Sequence, residues 1–400
     1  MYWNQLSFLL LRHECQFHNK EFYYYPWMVM DSPASPEIND YIQSRLQCLI
    51  EGTKHESPLA VPDHPPPWLD QDQFLRGRAL FYEYKMGILM SSFRSLVVGL
   101  SIPNLAIPLC LTKRSSTPAK AFKRYLHTGG MVEEIYKIIP WESTHVLDTI
   151  NRYHRLAAQK IRAMSKEQRD TLALLQFQDL PQHPYALSST DRGLLEVLQT
   201  MDYPSTHLGR ELFREYRHTH VVFSDTDMAL VHLAFFATFV QHPISYGGGG
   251  IGEQDLDAFL HYWRVIGYYL GVKDDLNLAG GGSQSELCAV WRALSKQLLY
   301  PYLQILDGVS LKMVKALTTA NDLNLGLIMF SSMEVNGNEL SELWNKFPVH
   351  TKFLYYWRRF FMECLYRTRY FRITINWLLS TVTTRLLEKL GPYSPLETDV

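Results

Sequence analysis

Hydrophobic positions recur every three to four residues along most of the chain, a spacing that is typical of one face of a helix. No segment shows the strict alternation of apolar and polar residues that marks a half-buried strand. The pattern therefore predicts an all-α protein and argues against an α/β sheet.

Local signals place several helix boundaries. Thr117 and Pro118 supply a cap and a proline at the first helical position, and the glycine pair at 129–130 is expected to interrupt the helix that follows. The segment 224–227 (Ser-Asp-Thr-Asp) resembles a capping box. Gly271 is predicted to end a helix over 253–270.

A proline cluster at 62–67 (Pro-Asp-His-Pro-Pro-Pro) stiffens the chain and forbids helix. We take it as a boundary, with a lead-in over 1–67, a main helical domain over 68–320 and a C-terminal helical extension over 321–400. The first residues, 1–12, lack a positive region and a cleavage site, so no signal peptide is predicted. The uncharged stretch 95–112 just reaches the length of a spanning helix, but its prolines favour a buried helix that breaks.

Composition narrows the class of function. The formal net charge of −1 argues against a nucleic-acid binder, which would need an excess of Lys and Arg. Aromatic residues make up 13% of the chain, which suits a large apolar cavity or an ordinary bulky core. The five cysteines are scattered singly and predict buried thiols in a reducing, intracellular compartment rather than a disulfide framework or a zinc site.

Two histidines lie within apolar helix faces. His154 is in the middle of a stripe that runs through Leu147, Ile150, Ala157 and Ile161. His232 shares a face with Met228, Phe235 and Phe239. A histidine in such a position is either hydrogen-bonded within the core or a metal ligand, and the pattern alone leaves both open.

A polar group precedes the first of these helices. Arg124, His127 and Thr128 occupy positions three and four apart, on neighbouring parts of one helix side. A cation, an imidazole and a hydroxyl could together bind and polarise a small ligand such as dioxygen. The alternative is the solvent-facing side of an amphipathic helix, since Lys123 is adjacent.

Other motifs have the wrong context. Gly247, Gly249 and Gly252 match the dinucleotide-binding spacing, but they follow a helix rather than a strand. A carboxylate-bridged di-iron site needs two Glu-x-x-His pairs, and only Glu142 with His145 stands out. A di-iron oxygenase is therefore a weak third hypothesis.

The segment 224–275 resembles the rubber oxygenases and the mpaB-type ER-bound oxygenases. It combines a capped helix, an acidic helix start and a W-R-x-x-G-x-x-L-G signature, which is formed here by Trp263, Arg264, Gly267, Leu270 and Gly271. Further upstream, Arg124, His127 and Thr128 resemble the distal arginine-x-x-lysine-threonine motif of that family, and the following helix supplies His154. The resemblance covers about 68–320.

The resemblance implies a globin-like all-α core that holds a haem b. His154 would be the proximal iron ligand, and Arg124, His127 and Thr128 would lie on the distal, catalytic side. His232 would be a fallback ligand or line the pocket. Known members cleave the carbon–carbon double bonds of isoprenoid chains with dioxygen, so we expect a haem-dependent oxygenase with a hydrophobic, isoprenoid or lipid-like substrate. The alternative is a non-catalytic haem- or lipid-binding protein of the same fold.

The sequence departs from the pattern of that family at three places, and each departure bears on the expected reaction. His127 stands where rubber oxygenases have a lysine that can ligate iron. Asn151 and Ala158 occupy the offsets at which the family places arginines around the proximal histidine. No acidic residue lies between Tyr84 and Thr112 to match the catalytic glutamate, so a different apolar substrate, or a different oxidative step, is expected in place of polyisoprene cleavage.

The C-terminal region interleaves arginines with aromatic residues over 355–372. Such a helix can rest on a membrane surface, with its arginines at the headgroups and its rings at the interface. It can equally pack over the core with its arginines in salt bridges. Peripheral contact with the endoplasmic reticulum membrane would suit a hydrophobic substrate.

Overall fold

The architecture comes from a computed structural model, which describes residues 35–112, 115–175, 187–200, 205–306, 308–320, 325–334 and 341–391. Within these ranges the protein is helical, and the only extended pairing is an isolated antiparallel bridge between Glu56 and Ser224. The all-α prediction is confirmed. The globin-like arrangement within that class stays a prediction.

The helices of the first half are α1 (Pro36–Gly52), α2 (Gln71–Gly99), α3 (Pro103–Leu111), α4 (Pro118–Lys137), α5 (His145–Arg162), α6 (Lys166–Leu175), α7 (Ser189–Thr200) and α8 (His207–His218). Two short helices follow, α9 (Asp225–Leu233) and α10 (Ala237–Gln241), and then a 3₁₀ turn (Ile244–Tyr246). The second half contains α11 (Glu253–Tyr269), α12 (Gln284–Leu294) with a π turn (Ser295–Leu299), α13 (Tyr300–Ile305), α14 (Gly308–Ala320), α15 (Leu325–Glu334), α16 (Ser341–Lys346), α17 (Val349–Phe360) with a second π turn (Phe361–Leu365), and α18 (Arg369–Leu390).

Helices α2 and α11 form the centre of the core, where they pack against each other along much of their length. A methyl group added at Gly77 of α2 would lie 2.0 Å from the carbonyl oxygen of Ala258, so the two backbones approach too closely for any side chain there. Phe81, Tyr136 and Tyr262 then stack in series, with ring centroids 3.7 and 4.6 Å apart. This stack joins α2, α4 and α11.

Most of the predicted caps are confirmed. The Thr117 side chain accepts a hydrogen bond from the Lys120 amide at the start of α4. Ser224 and Asp227 form a reciprocal capping box at the start of α9. Gly271 follows α11 in a left-handed conformation, with φ of +84°.

The expected interruption at 129–130 is wrong, because α4 continues unbroken to Lys137. The glycines have a packing role at Gly130, where an added methyl would lie 2.7 Å from Leu387 of α18. A glycine that brings two helices together therefore looks the same in sequence as one that breaks a helix.

Contacts cross both predicted domain boundaries. Helix α1 packs on α8, α9 and α12, and its Leu46, Leu49 and Ile50 are each 1% exposed. Helix α18 packs on α2 and α4. The division into three parts stays a prediction, and residues 1–34 lie outside the described ranges.

The uncharged stretch 95–112 divides into the end of α2 and all of α3, which meet at 96°. No single helix in the described ranges has the length and apolar character of a membrane span, although this bent pair passes the same test when it is taken together.

Cys110 of α3 is fully buried, and burial raises the pKa of its thiol to about 12.

Candidate functional site

A cavity of about 370 Å³ lies among α2, α3, α4, α5, α9, α10, α11 and α12. Its wall is mainly apolar, and it includes Leu105, Met131, Ile135, Val231 and Leu298. Cavities of about 300–1,000 Å³ with apolar walls and few polar groups are typical of small-molecule sites. The polar groups of this wall include four of the residues that the sequence singled out, Arg124, Thr128, His154 and His232.

His154 projects from α5 into the cavity, where it lines the wall beside Ile150 and Ala157. Its Nδ1 atom is buried and has no hydrogen-bond partner among the described residues. Burial, followed by the nearby charge of Arg124, lowers the pKa of His154 to about 4. The imidazole is therefore neutral near pH 7, which is the form that ligates a metal.

Arg124 and Thr128 also line the cavity, one turn apart on α4. The Arg124 Nη1 atom donates to Thr112 Oγ1 at 3.1 Å, which holds the guanidinium against α3. The Thr128 hydroxyl donates to the Arg124 carbonyl oxygen at 3.1 Å. The structure thus brings Arg124, Thr128 and His154 to the wall of one cavity, and their roles stay a prediction.

His127 is placed differently, because it is buried and does not line the cavity. On a helix, position 127 lies about 100° away from position 128 and 60° away from position 124 by the 3.6-residue repeat. Arg124 and Thr128 face the cavity together, and His127 projects to one side of them. This placement does not support the distal role of His127, which stays a prediction.

His232 lines the cavity from α9, and it is 2% exposed. Its Nε2 atom lies 2.9 Å from the Trp263 carbonyl oxygen. A carbonyl only accepts, so Nε2 carries the proton and donates it, which leaves Nδ1 as the unprotonated nitrogen. That Nδ1 is buried without a hydrogen-bond partner among the described residues. Burial lowers the pKa of His232 to about 4, so the ring is neutral.

The W-R-x-x-G-x-x-L-G signature has structural roles around this histidine. Trp263 lines the cavity and stacks on Phe235 and Phe236, with ring centroids 5.7 and 5.9 Å apart. Arg264 pairs with Asp274 at 2.9 Å and lies over the ring of Trp68. These are packing contacts and an ion pair, so they give Trp263 and Arg264 structural roles and assign no chemical step to them.

The sequence interpretation did not assign several polar residues of the wall to the site, among them Arg94, Asp227 and His242. Arg94 immediately precedes the uncharged stretch 95–112, and this position beside an apolar segment is the sequence signal that could have identified it. Asp227 was recognised only as a cap, and both of its oxygens are used, one by the Tyr216 hydroxyl and one by the Ser224 amide. Burial raises the pKa of Asp227 to about 6.

No group of three or more His, Cys, Asp or Glu side chains that could hold a metal ion occurs in the described part of the chain. The four carboxylates and two histidines of a di-iron centre would form such a group, so the di-iron hypothesis has no site there. A haem needs only one protein ligand, since the porphyrin supplies the other four.

Comparisons of the chain with known protein families, with curated proteins and with solved structures found no match.

Proposed function

We propose that this protein is a haem b-dependent oxygenase that acts with dioxygen on an apolar, isoprenoid or lipid-like substrate. The observation that supports the proposal most is the convergence of Arg124, Thr128 and His154 on one apolar cavity. The three residues come from two separate helices, α4 and α5.

The residues present fit a haem. His154 offers a neutral imidazole whose Nδ1 has no hydrogen-bond partner among the described residues, on a wall that is otherwise mostly apolar. A bound haem would supply the activation of dioxygen. His154 would hold it from one side, and His232 is the fallback, with an unprotonated Nδ1 on the same cavity.

The roles of the other residues follow from their chemistry. Arg124 carries a permanent positive charge into an apolar cavity, where a charge acts more strongly than it does in water. It would orient a polarised oxygen species and stabilise negative charge as it develops. The Thr128 hydroxyl could turn from the Arg124 carbonyl to donate a hydrogen bond at the same place.

The test is a product assay under ¹⁸O₂ with haem-loaded protein and a soluble isoprenoid such as farnesol. Cleavage of one double bond consumes one dioxygen and gives two carbonyl groups, each with one labelled oxygen. We expect labelled carbonyl products and a loss of about 100-fold in rate for Arg124→Gln. The matched control is Arg152→Gln, since Arg152 is exposed on the neighbouring α5. The absence of any cleavage product, or equal rates for the two variants, would contradict the proposal.

One observation favours the second candidate, a non-catalytic carrier of an apolar ligand. Asp227 is the single carboxylate among the described residues of the cavity wall, and its two oxygens are already bonded. No free carboxylate base therefore faces the cavity from the described wall. Tight binding of farnesol without any labelled product in the same assay would favour the carrier.

A further inference from the structure

Tyr125 lies on the cavity wall, directly after Arg124 on α4. Its hydroxyl oxygen is buried and has no hydrogen-bond partner among the described residues. Most buried polar atoms in proteins are hydrogen-bonded, because a buried hydroxyl that has lost its bonds to water costs free energy. This hydroxyl is therefore a donor that a ligand in the cavity could use.

The helical repeat explains why Tyr125 reaches the cavity and His127 does not. With about 100° between successive residues, the α4 residues that line the cavity cover an arc from Met131, at about −20° relative to Arg124, to Tyr125, at about +100°. Thr128 lies inside this arc, at about +40°. His127 lies outside it, at about −60°, and it does not line the cavity.

The ring of Tyr125 is held in place by packing. It meets the ring of Phe93 edge to face, with centroids 6.4 Å apart, so α2 supports α4 at this point. Burial, which outweighs the nearby charge of Arg124, raises the pKa of Tyr125, and the phenol keeps its proton near pH 7. Tyr125 thus offers a neutral O–H donor on a supported ring.

Arg124 lies close to both Tyr125 and His154, because its charge acts on each of these side chains. The Arg124 guanidinium donates to the neutral hydroxyl groups of Thr112 and Ser115, at 3.1 and 3.5 Å. A guanidinium beside a phenol donor suits a ligand oxygen with partial negative charge, since charge-assisted hydrogen bonds are the stronger ones.

We propose that Tyr125, rather than His127, is the third polar residue of α4 at the site, and that its hydroxyl donates a hydrogen bond to the dioxygen that Arg124 polarises. The inference rests on the proposed function, in which dioxygen reacts in this cavity. The Thr128 hydroxyl already donates to the Arg124 carbonyl oxygen at 3.1 Å. The Tyr125 hydroxyl has no such bond to a described residue, so it can donate without first breaking one.

The test measures the affinity of the haem-loaded, ferrous protein for dioxygen and for carbon monoxide, by absorption titration of the full-length chain. Dioxygen takes on more negative charge than carbon monoxide does at a ferrous haem, so a hydrogen-bond donor favours dioxygen. Tyr125→Phe keeps the ring against Phe93 and removes only the hydroxyl. We expect its affinity for dioxygen to fall about 10-fold relative to its affinity for carbon monoxide. The ratio is taken within each variant, so a partly unfolded sample lowers both affinities without changing it.

Two further variants are the controls. Tyr153→Phe removes a phenol hydroxyl from the same cavity wall, but from α5 beside His154, so it should keep the wild-type ratio. His127→Leu should also keep the ratio, since position 127 lies outside the cavity side of α4.

The role of Tyr125 and the binding of haem can fail separately. A fall in the ratio that is confined to Tyr125→Phe supports the proposal. Haem uptake with an unchanged ratio in Tyr125→Phe, an equal fall in Tyr153→Phe, or a fall in His127→Leu instead would overturn the role of Tyr125 and leave the haem assignment standing. A protein that takes up no haem would contradict both.

Discussion

At the scale of single residues, the contact between Gly267 and His232 shows how tightly the cavity wall is built. A methyl group added at Gly267 would lie 2.7 Å from His232 Cε1 and 2.9 Å from Asn277 Nδ2. The His232 ring is held on the other side by the Trp263 carbonyl oxygen, and Asn277 donates to the Arg264 carbonyl oxygen at 2.8 Å. Neither neighbour can move without losing a hydrogen bond.

Gly267→Ala should therefore lower the free energy of unfolding by about 1–3 kcal/mol, the usual range for overpacking. Gly129→Ala is the matched control, because an added methyl there meets nothing within 4 Å and the residue lies inside α4. That control should raise stability by about 0.5–1 kcal/mol. Urea unfolding followed by circular dichroism measures both. A neutral Gly267→Ala would contradict the close packing.

The free energy of unfolding should depend on pH, because three buried histidines have lowered pKa values. His154, His232 and His242 have pKa values lowered to about 4, 4 and 3 from 6.5, so protonation favours the unfolded chain. Their contribution is fully present above pH 6.5 and is lost progressively as the pH falls towards 4. Asp227 acts in the opposite direction, since its pKa is raised to about 6 and its contribution is lost as the pH rises from 3.8 through 6.

With three groups against one, the free energy of unfolding should fall between pH 7 and pH 5. A single buried histidine of this kind contributes about 2 kcal/mol to that fall. The fall should be smaller by about that amount in His232→Gln, whose amide nitrogen takes the place of Nε2 and can still donate to the Trp263 carbonyl oxygen. Urea unfolding of both proteins at the two pH values is the measurement. An identical fall in both would show that His232 is not buried as described.

The candidate site could be predicted only in part from these residues. Arg124, Thr128 and His154 were found because each belongs to a local pattern on its own helix. His127 was assigned to the same group because sequence spacing cannot tell which half of a helix side faces a cavity. Arg94 and His242 were missed, because their proximity depends on how α2 meets α10, which no local pattern encodes.

At the scale of elements, a buried ion pair joins three helices. Lys85 of α2 donates to Glu133 of α4 at 2.8 Å and to the Ser380 hydroxyl of α18 at 2.8 Å. The two charged side chains are only 10% and 13% exposed. Breaking such a pair leaves one charge buried without compensation.

Glu133→Ala should lower the free energy of unfolding by about 3 kcal/mol. The adjacent Glu134 is the matched control, because its pair with Lys137 is about half exposed and Glu134→Ala should cost less than about 1 kcal/mol. Combining Lys85→Met with Glu133→Leu should recover most of the loss, since no charge is then left behind. Equal effects of the two glutamate changes in urea unfolding would contradict the buried pair.

The arginine- and aromatic-rich region forms part of α17 and α18, and its contacts bear on whether it packs over the core or rests on a membrane surface. Arg359 pairs with Glu363, and Arg372 pairs with Glu83, so these two arginines serve the fold. Tyr370, Ile373 and Trp377 share one face of α18 and are 86%, 55% and 66% exposed. Exposed apolar residues grouped in this way mark interaction surfaces, and Arg367 and Arg369 lie exposed beside them.

We expect this face to bind anionic lipid vesicles, with its rings at the interface and the two exposed arginines at the headgroups. Trp377→Glu should lower the vesicle partition coefficient about 10-fold, because it removes one large apolar side chain from the interface. Leu75→Glu, at an exposed apolar position of α2, is the control and should have no effect. Cosedimentation with phosphatidylserine vesicles measures the partition. Equal binding of the two variants would exclude this face.

At the scale of the whole molecule, the helical class followed directly from the hydrophobic repeat, while the way the helices assemble did not. The break between α2 and α3 was signalled by its prolines, yet the continuity of α4 through its glycines depends on the approach of α18. The assembly forms the apolar cavity and places a neutral histidine in its wall, on which the proposed function depends.

The most direct test of that account is the absorption spectrum of the purified protein after incubation with haem b, with the haem quantified as its pyridine complex. We predict a Soret band at about one haem per chain, which is lost in His154→Ala and retained in His145→Ala, an exposed histidine at the start of the same α5. A protein that takes up no haem, or that binds it equally well without His154, would contradict the central claim.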